Sequence, residues 1–355
     1  MEVSSKRTPL QFENAIAVAR LWRSAGGRSE VELGALEPLL WREGELMPSD
    51  LVRGLVASGI RVTMTTNASL LERQAGALKE AGLTLLRISW HTTDPERFRE
   101  ISGHGNYGAF YKGIETAAVT GLRISFNRVL LKGLSDDLPA QLDFVRRYDL
   151  RLKLYDLMWT PEIDDVYSDV YQDWRPLVRK HVLPLTVRIE RVGTELGRRR
   201  MRFHLLGGGV VEVKLSDRVD RAKEPCSSCA HRAVCLEEFG DYVRVEPELD
   251  MHFCYLRRDI GFNLRDLINT GQRGARGLRE RLENCVGNRT GALLRSAALR
   301  FIVTPYCNFN CYLPGTTISW CHKTSGDYWF PGRPNTWKPH VPAGIANGLT
   351  QISRR

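Results

Sequence analysis

An α/β fold on a parallel sheet, open or rolled into a barrel, is the class this sequence predicts. Three observations predict it. From residue 9 to about 160, short apolar runs alternate with stretches whose apolar residues recur at helical spacing. The helical stretches are about 10 to 15 residues long, the length of a crossover that lays the next strand parallel to the last. Beyond residue 160 the rhythm breaks, which separates a first unit from the remainder of the chain.

Taken in order, residues 9–25 form an amphipathic helix with Phe12, Ile16, Ala19 and Trp22 at helical spacing, ended by Gly26 and Gly27. Val31 to Leu36 is a strand, 48–58 a helix, and Arg61 to Asn67 a second strand. A helix over 69–81 stops at Gly82 and leads into the strand Thr84 to Trp90. Helices over 107–120 and 136–147 precede strands at Arg123 to Leu131 and Arg151 to Leu157. Residues 161–185 read as helical, and 186–215 as antiparallel strands around Gly207-Gly-Gly209. An Arg-rich helical linker covers about 264–297, and Leu299 to Thr304 is a last short strand. Sheets of this kind place ligands at the C-terminal ends of their strands.

The 355 residues can bury one large core or two smaller ones. Hydrophobic content of 43% beside 26% charge is ordinary for a soluble globular chain. No window approaches the run of about 18 apolar residues that spans a membrane. The N-terminus, Met1 to Arg7, lacks the apolar core of a secretory signal, so a cytoplasmic location is expected. The net charge is +10, with arginine dense in 188–203 and 257–300. Aromatics are not interleaved there as on a single-strand binding platform. A solvated surface is the first reading, an anionic substrate such as a nucleotide the second, nucleic acid the third.

Seven of the eight cysteines fall in two groups, and Cys285 stands alone as a buried, inert thiol. Cys226, Cys229, Cys235 and Cys254 have the spacing C-x2-C-x5-C-x18-C. Four thiolates spaced so suit tetrahedral zinc or a four-iron cluster equally. Cys307, Cys311 and Cys321 come after the last strand with the spacing C-x3-C-x9-C. In a reducing compartment such grouping argues for metal before disulfide. An iron–sulfur cluster is the first reading of this loop; a structural zinc or idle thiols is the alternative.

Without Leu313 to Ser319 the last loop would read C-x3-C-x2-C with an aromatic residue before the final cysteine. That resembles the cluster loop of radical S-adenosylmethionine (radical SAM) enzymes. Further matching pieces are Glu37-Pro-Leu-Leu, Thr65-Thr-Asn67 with Leu70-Leu71, Arg87-Ile-Ser89, Asp94-Pro-Glu-Arg-Phe98 with Ile101 and Gly103, and Lys132-Gly133 with Asp136-Asp137. Within that superfamily the chain is most similar to molybdenum cofactor biosynthesis protein A, the GTP 3',8-cyclase family, over about 10–270 and 298–323. The resemblance implies a partial (β/α)6 TIM-like barrel with a smaller C-terminal α+β auxiliary iron–sulfur domain of the twitch or SPASM type. It divides the chain into a barrel lacking its first strand (1–161), an auxiliary-cluster domain (162–270), a linker helix (271–297), and a cluster strand plus tail (298–355). In the family the cluster strand comes first, directly before the helix matched by 9–25; here it comes last. A circular permutation, a domain swap within a homodimer, or a join of adjacent reading frames would each give this order.

The resemblance also implies one or two [4Fe-4S] clusters and S-adenosyl-L-methionine, with Glu37, Thr66, Asn67, Ser89 and Asn127 around the cofactor. Where the family has Gly-Gly-Glu, this chain has Ala35-Leu36-Glu37, and glycine is what lets a backbone approach a ligand closely. His91 replaces an acidic residue and reads as a satisfied surface histidine or a proton carrier. Cys235 is an extra candidate ligand that would close the auxiliary cluster. Arg244 matches a substrate-reading arginine, while Tyr242 stands where a second would be. The implied partners are a small-molecule, nucleotide or peptide substrate and a reductant such as flavodoxin or ferredoxin, with no membrane. The expected activity is reductive cleavage of the cofactor to a 5'-deoxyadenosyl radical that abstracts hydrogen. The alternatives are GTP 3',8-cyclase itself, a catalytically degenerate relative, or a zinc-stapled nucleic-acid-binding module.

Overall fold

The computed structural model describes residues 8–304 except 35, 104, 194–198, 216–223, 236–238 and 240–241. Cys307, Cys311 and Cys321, the expected ligands of the first cluster, lie outside the described residues.

Helix α1 (Phe12–Ser24) buries Ala15, Ile16, Val18, Ala19, Leu21 and Trp22, the face its spacing predicts. It stops at Gly26, at φ +86°, and Gly27 lies so close to the Trp22 indole that a Cβ there would stand 2.3 Å from it. Strands and helices then alternate: β1 (Glu30–Gly34), α2 (Pro48–Ala57), β2 (Arg61–Thr66), α3 (Leu71–Glu80), β3 (Leu85–Ser89), α4 (Pro95–Ser102), α5 (Tyr107–Val119), β4 (Ile124–Leu130), α6 (Leu138–Arg147) and β5 (Arg151–Asp156).

Helix α4 was not among the expected elements. Its N-cap, Asp94, accepts from the backbone N–H groups of Glu96 (2.8 Å) and Arg97 (3.2 Å), and Pro95 occupies the first helical position. The expected single helix over 161–185 is instead broken into α7 (Asp164–Val170), α8 (Trp174–Leu177) and short turns to Leu185. Pro176 and Pro184, which lack an N–H, interrupt that stretch.

Next come β6 (Thr186–Gly193), β7 (Arg199–Leu205), β8 (Val210–Leu215), β9 (Tyr242–Val245), β10 (Asp250–His252), β11 (Gly261–Asn263), α9 (Gly271–Val286), α10 (Thr290–Ser296) and β12 (Ala298–Ile302). All twelve strands form one sheet in the order β11-β10-β9-β12-β1-β2-β3-β4-β5-β8-β7-β6. The eight from β9 to β8 run parallel to their neighbours, and an antiparallel pair extends each end. The sheet is an α/β, TIM-like partial barrel; the two end strands do not pair among the described residues.

The last strand enters this sheet beside the first. Val31, Glu32, Leu33 and Gly34 of β1 face Leu299, Arg300, Phe301 and Ile302 of β12, and the Leu10 N–H donates to the Val303 carbonyl at 3.0 Å. The alternating residues of the strands divide by chemistry. Val31, Leu33, Val62, Met64, Leu86, Ile88, Leu152, Leu154, Leu299 and Phe301 are buried in the main apolar core. The residues between them, among them Glu32, Thr63, Arg87, Lys153 and Arg300, present a polar face.

Candidate active site

Two buried carboxylates organise the polar face. Glu32 accepts from the Thr65 hydroxyl (2.9 Å) and the Arg300 guanidinium (3.1 Å), with Arg87 at 3.4 Å. Burial alone would raise its pKa; the cations of Arg300 and Arg87 outweigh that and hold it at about 2. Glu212 on β8 accepts from Arg202 (2.8 Å) and Arg200 (3.2 Å), with Lys153 at 3.6 Å. Burial is again overcome, by Lys153, Arg200 and Arg202, and the pKa sits at about 2. Lys153 is brought down to about 8, by burial first and then by Arg200. The expectation of a solvated arginine surface over 188–203 therefore fails at Arg200 and Arg202, which turn to Glu212.

This face opens into a cavity of about 340 Å³. Ser89 and Asn127, at or near the C-terminal ends of β3 and β4 and paired across the sheet, stand in its wall. Lys153, Tyr155 and Asp156 of β5 also stand there, with Arg300 of β12 and Arg244 of β9. The lining also includes all four cysteines Cys226, Cys229, Cys235 and Cys254. Of the residues expected from spacing the four cysteines line this cavity, and of those implied by resemblance Ser89, Asn127 and Arg244 do. Neither pointed to Glu32, Lys153, Asp156 and Arg300, whose signal was a charge at alternate positions of otherwise apolar strands.

Glu37, Thr66 and Asn67 are brought together, but into a different arrangement. The Glu37 carboxylate, fully buried, accepts from the Leu39 N–H (3.1 Å), the Thr66 hydroxyl (2.7 Å) and the Asn67 N–H (2.7 Å). Burial pushes its pKa up to about 7 against those hydrogen bonds. The Asn67 side-chain oxygen accepts from the N–H and hydroxyl of Ser69. None of the three stands in the cavity wall. The adjoining Leu36 has φ +53°, the left-handed region that glycine fills without strain.

His91 is a wall residue, not a surface one. Its Nδ1 accepts from the Val129 N–H at 3.1 Å, and burial, aided by the buried Arg128 cation, lowers its pKa to about 3. It is a neutral hydrogen-bond acceptor there. Asp156 is pushed up to about 7, by burial first and then by Asp173. One of its oxygens and the Thr160 hydroxyl, also in the wall, are buried without a hydrogen-bond partner.

Soft sulfur donors in this lining suit an iron–sulfur cluster or zinc by chemistry. Burial, then the neighbouring Cys254 and Cys229, raise the Cys226 pKa, which puts these three thiols within electrostatic reach of one another. Among the described residues no three His, Cys, Asp or Glu side chains are gathered as a formed metal site. The four thiols fit as a donor set rather than as a closed shell. Cys285, expected to be fully buried, is half-buried on α9, and burial raises its pKa. No helix among the described residues is long and apolar enough to cross a membrane.

Residues 2–145 match the radical SAM superfamily model. The GTP 3',8-cyclase of Rhizobium etli is 34% identical over 148 residues, which are 41% of this chain and 42% of that protein. That of Stenotrophomonas maltophilia is 37% identical over 155 residues, 42% of this chain and 47% of that one. That of Aeromonas hydrophila is 29% identical over 248 residues, 69% of this chain and 67% of its own length. The chain thus spans from about two fifths to two thirds of the length of these curated relatives. The chain is thus similar to the radical SAM superfamily over residues 2–145 and to GTP 3',8-cyclases in sequence.

Proposed function

We propose that this chain is a radical SAM enzyme acting on an anionic small molecule. When bound, a reduced [4Fe-4S] cluster and S-adenosylmethionine would supply a 5'-deoxyadenosyl radical that abstracts hydrogen from an unreactive carbon of the substrate. One observation carries the reading. The parallel register of β12 against β1 brings the C-terminal end of β12, three residues after which the sequence reaches Pro305, to the same end of the sheet as Glu37, Asn67 and Ser89. Ser89 at that end lines the same cavity as four thiols. The contact of Leu10 with Val303 further supports a permuted order, since the family's cluster strand leads directly into the helix matched by α1.

The chain's own residues suggest the division of labour. Cys307, Cys311 and Cys321 would hold the first cluster, and Cys226, Cys229, Cys235 and Cys254 the auxiliary one. Ser89 and Asn127 would line the cofactor from the cavity wall. Glu37 and Thr66 would act from behind it, by fixing the chain at Leu39 and Asn67. The wall's Lys153, Arg200, Lys214, Arg244 and Arg300 outnumber its carboxylates, which favours a negatively charged substrate. Arg244 lies 4.2 Å over the Tyr255 ring, held flat for a planar or phosphate-bearing group. The reductant would be a flavodoxin or ferredoxin, in a cytoplasm reducing enough for the thiols.

Anaerobic reconstitution, reduction and incubation with S-adenosylmethionine should yield 5'-deoxyadenosine, and Cys311→Ala should abolish it with the fold intact. Continued cleavage by that variant would sink the assignment. A second reading, GTP 3',8-cyclase, draws on the names of the relatives. It predicts that added GTP is consumed with the cofactor, whereas a different anionic substrate leaves GTP untouched.

A further inference from the structure

We propose that the outer edge of β6 is a dimer interface, pairing antiparallel with β6 of a second copy about a two-fold axis at Ile189. β6 ends the twelve-strand order, and no strand covers its far side among the described residues. Of the seven large apolar side chains that the described residues expose, four lie on β6 or beside its base: Leu183 (39%), Val187 (63%), Ile189 (50%) and Leu206 (61%). The Leu206 N–H donates to the Leu185 carbonyl at 2.7 Å, which brings the hairpin base together. Apolar exposure concentrated at a sheet edge marks an interaction surface.

Charge decides which partner fits. Natural edges are guarded by prolines or by charges that repel a second strand. β6 has no proline, and its charges are of opposite sign two residues apart on one face: Arg188 and Glu190. In an antiparallel pair centred on Ile189, Arg188 of each copy falls opposite Glu190 of the other, twice over. The same register sets Ile189 against its twin on the other face. This is the self-complementarity a two-fold interface requires. Within the chain both side chains approach the same His204 nitrogen, Arg188 at 2.9 Å and Glu190 at 3.2 Å, so each is oriented before a partner arrives. A register irregularity between Thr186 and Arg188 confines the regular pairing to the part of the strand from Arg188 onward, with the centre inside it.

Sedimentation velocity on the full chain at micromolar concentration tests this. The wild type should be dimeric. Arg188→Glu alone and Glu190→Arg alone should each weaken self-association at least tenfold, because like charges then face one another. Mixing the two variants should give a one-to-one heterodimer, one copy presenting two acids and the other two bases. The double variant R188E/E190R should dimerise again by itself, which separates lost pairing from lost folding. A monomeric wild type, or single variants that dimerise as well as it does, would overturn the proposal. So would a mixture that fails to associate.

Discussion

Glu32 and Glu37 are five residues apart, both out of water, and opposite in character. Glu32 lies on the polar face of the barrel among guanidinium groups and stays ionised, at about 2. Glu37 lies at the strand ends among hydrogen-bond donors that carry no net charge, and is pushed up to about 7. The same contrast separates Glu212, at about 2 beside Lys153, Arg200 and Arg202, from Asp156, at about 7 beside Asp173. Burial penalises the charge in all four; the cations around Glu32 and Glu212 overcome it, whereas Arg175 and Lys214 only partly offset it at Asp156. The middle of the sheet is thus braced by fixed ion pairs, and its C-terminal end holds carboxyl groups that can change state.

Removing an inner carboxylate should have the largest effect. Glu212→Ala strands Arg200, Arg202 and Lys153 on a buried face and should cost about 4 kcal/mol, read from denaturant unfolding. A loss below about 1 kcal/mol would mean that water already neutralises those cations. At the strand ends Glu37→Ala leaves two backbone N–H groups and a hydroxyl unpaired, and should cost about 3 kcal/mol. Glu37→Gln, which keeps one acceptor, should cost about 1 kcal/mol, since the lost charge was itself disfavoured there.

The pH dependence sharpens the contrast. For Asp156 and Glu37 the folded pKa lies above the unfolded one. Their contribution is complete below about pH 4 and is lost as pH rises through about 7. For Glu32 and Glu212 the folded pKa lies below, so their contribution is complete above about pH 4.5 and lost as pH falls through about 2. Asp156→Asn should therefore stabilise the chain at pH 8 relative to wild type, on the order of 2 kcal/mol, and flatten the fall between pH 5 and 8. An unchanged slope would place Asp156 in contact with water. The smallest effect concerns Leu36. Leu36→Gly should raise stability by about 1 kcal/mol in denaturant unfolding by relieving a left-handed backbone, and a loss would mean that packing of the leucine outweighs that relief.

Much of the fold was legible in the sequence because its signals are local. The run from α1 to β5 comes from periodicity and from Gly stops at Gly26 and Gly82, each a matter of a few adjacent residues. Helix α4 was missed although Asp94-Pro95 is a start signal, because its apolar face is short. In the site, the four cysteines were legible from spacing, and Ser89, Asn127 and Arg244 through resemblance. Lys153 and Asp156 were not, since a charge inside a strand reads alike whether it meets water or an opposite charge. His91 misread for the same reason: the Val129 N–H it accepts from is 38 residues away.

From the sequence alone came the alternation of strands and helices up to β5, the two groups of thiols and the similarity to radical SAM enzymes. The sequence could not determine that the last strand lies beside the first, nor that Glu37 serves its own backbone. Those depend on contacts such as Arg300 with Glu32, 268 residues apart, and on which carboxylates meet a cation once water is gone. Local propensity is written in neighbouring residues, whereas the state of a buried charge is set by whatever the folded chain brings to it.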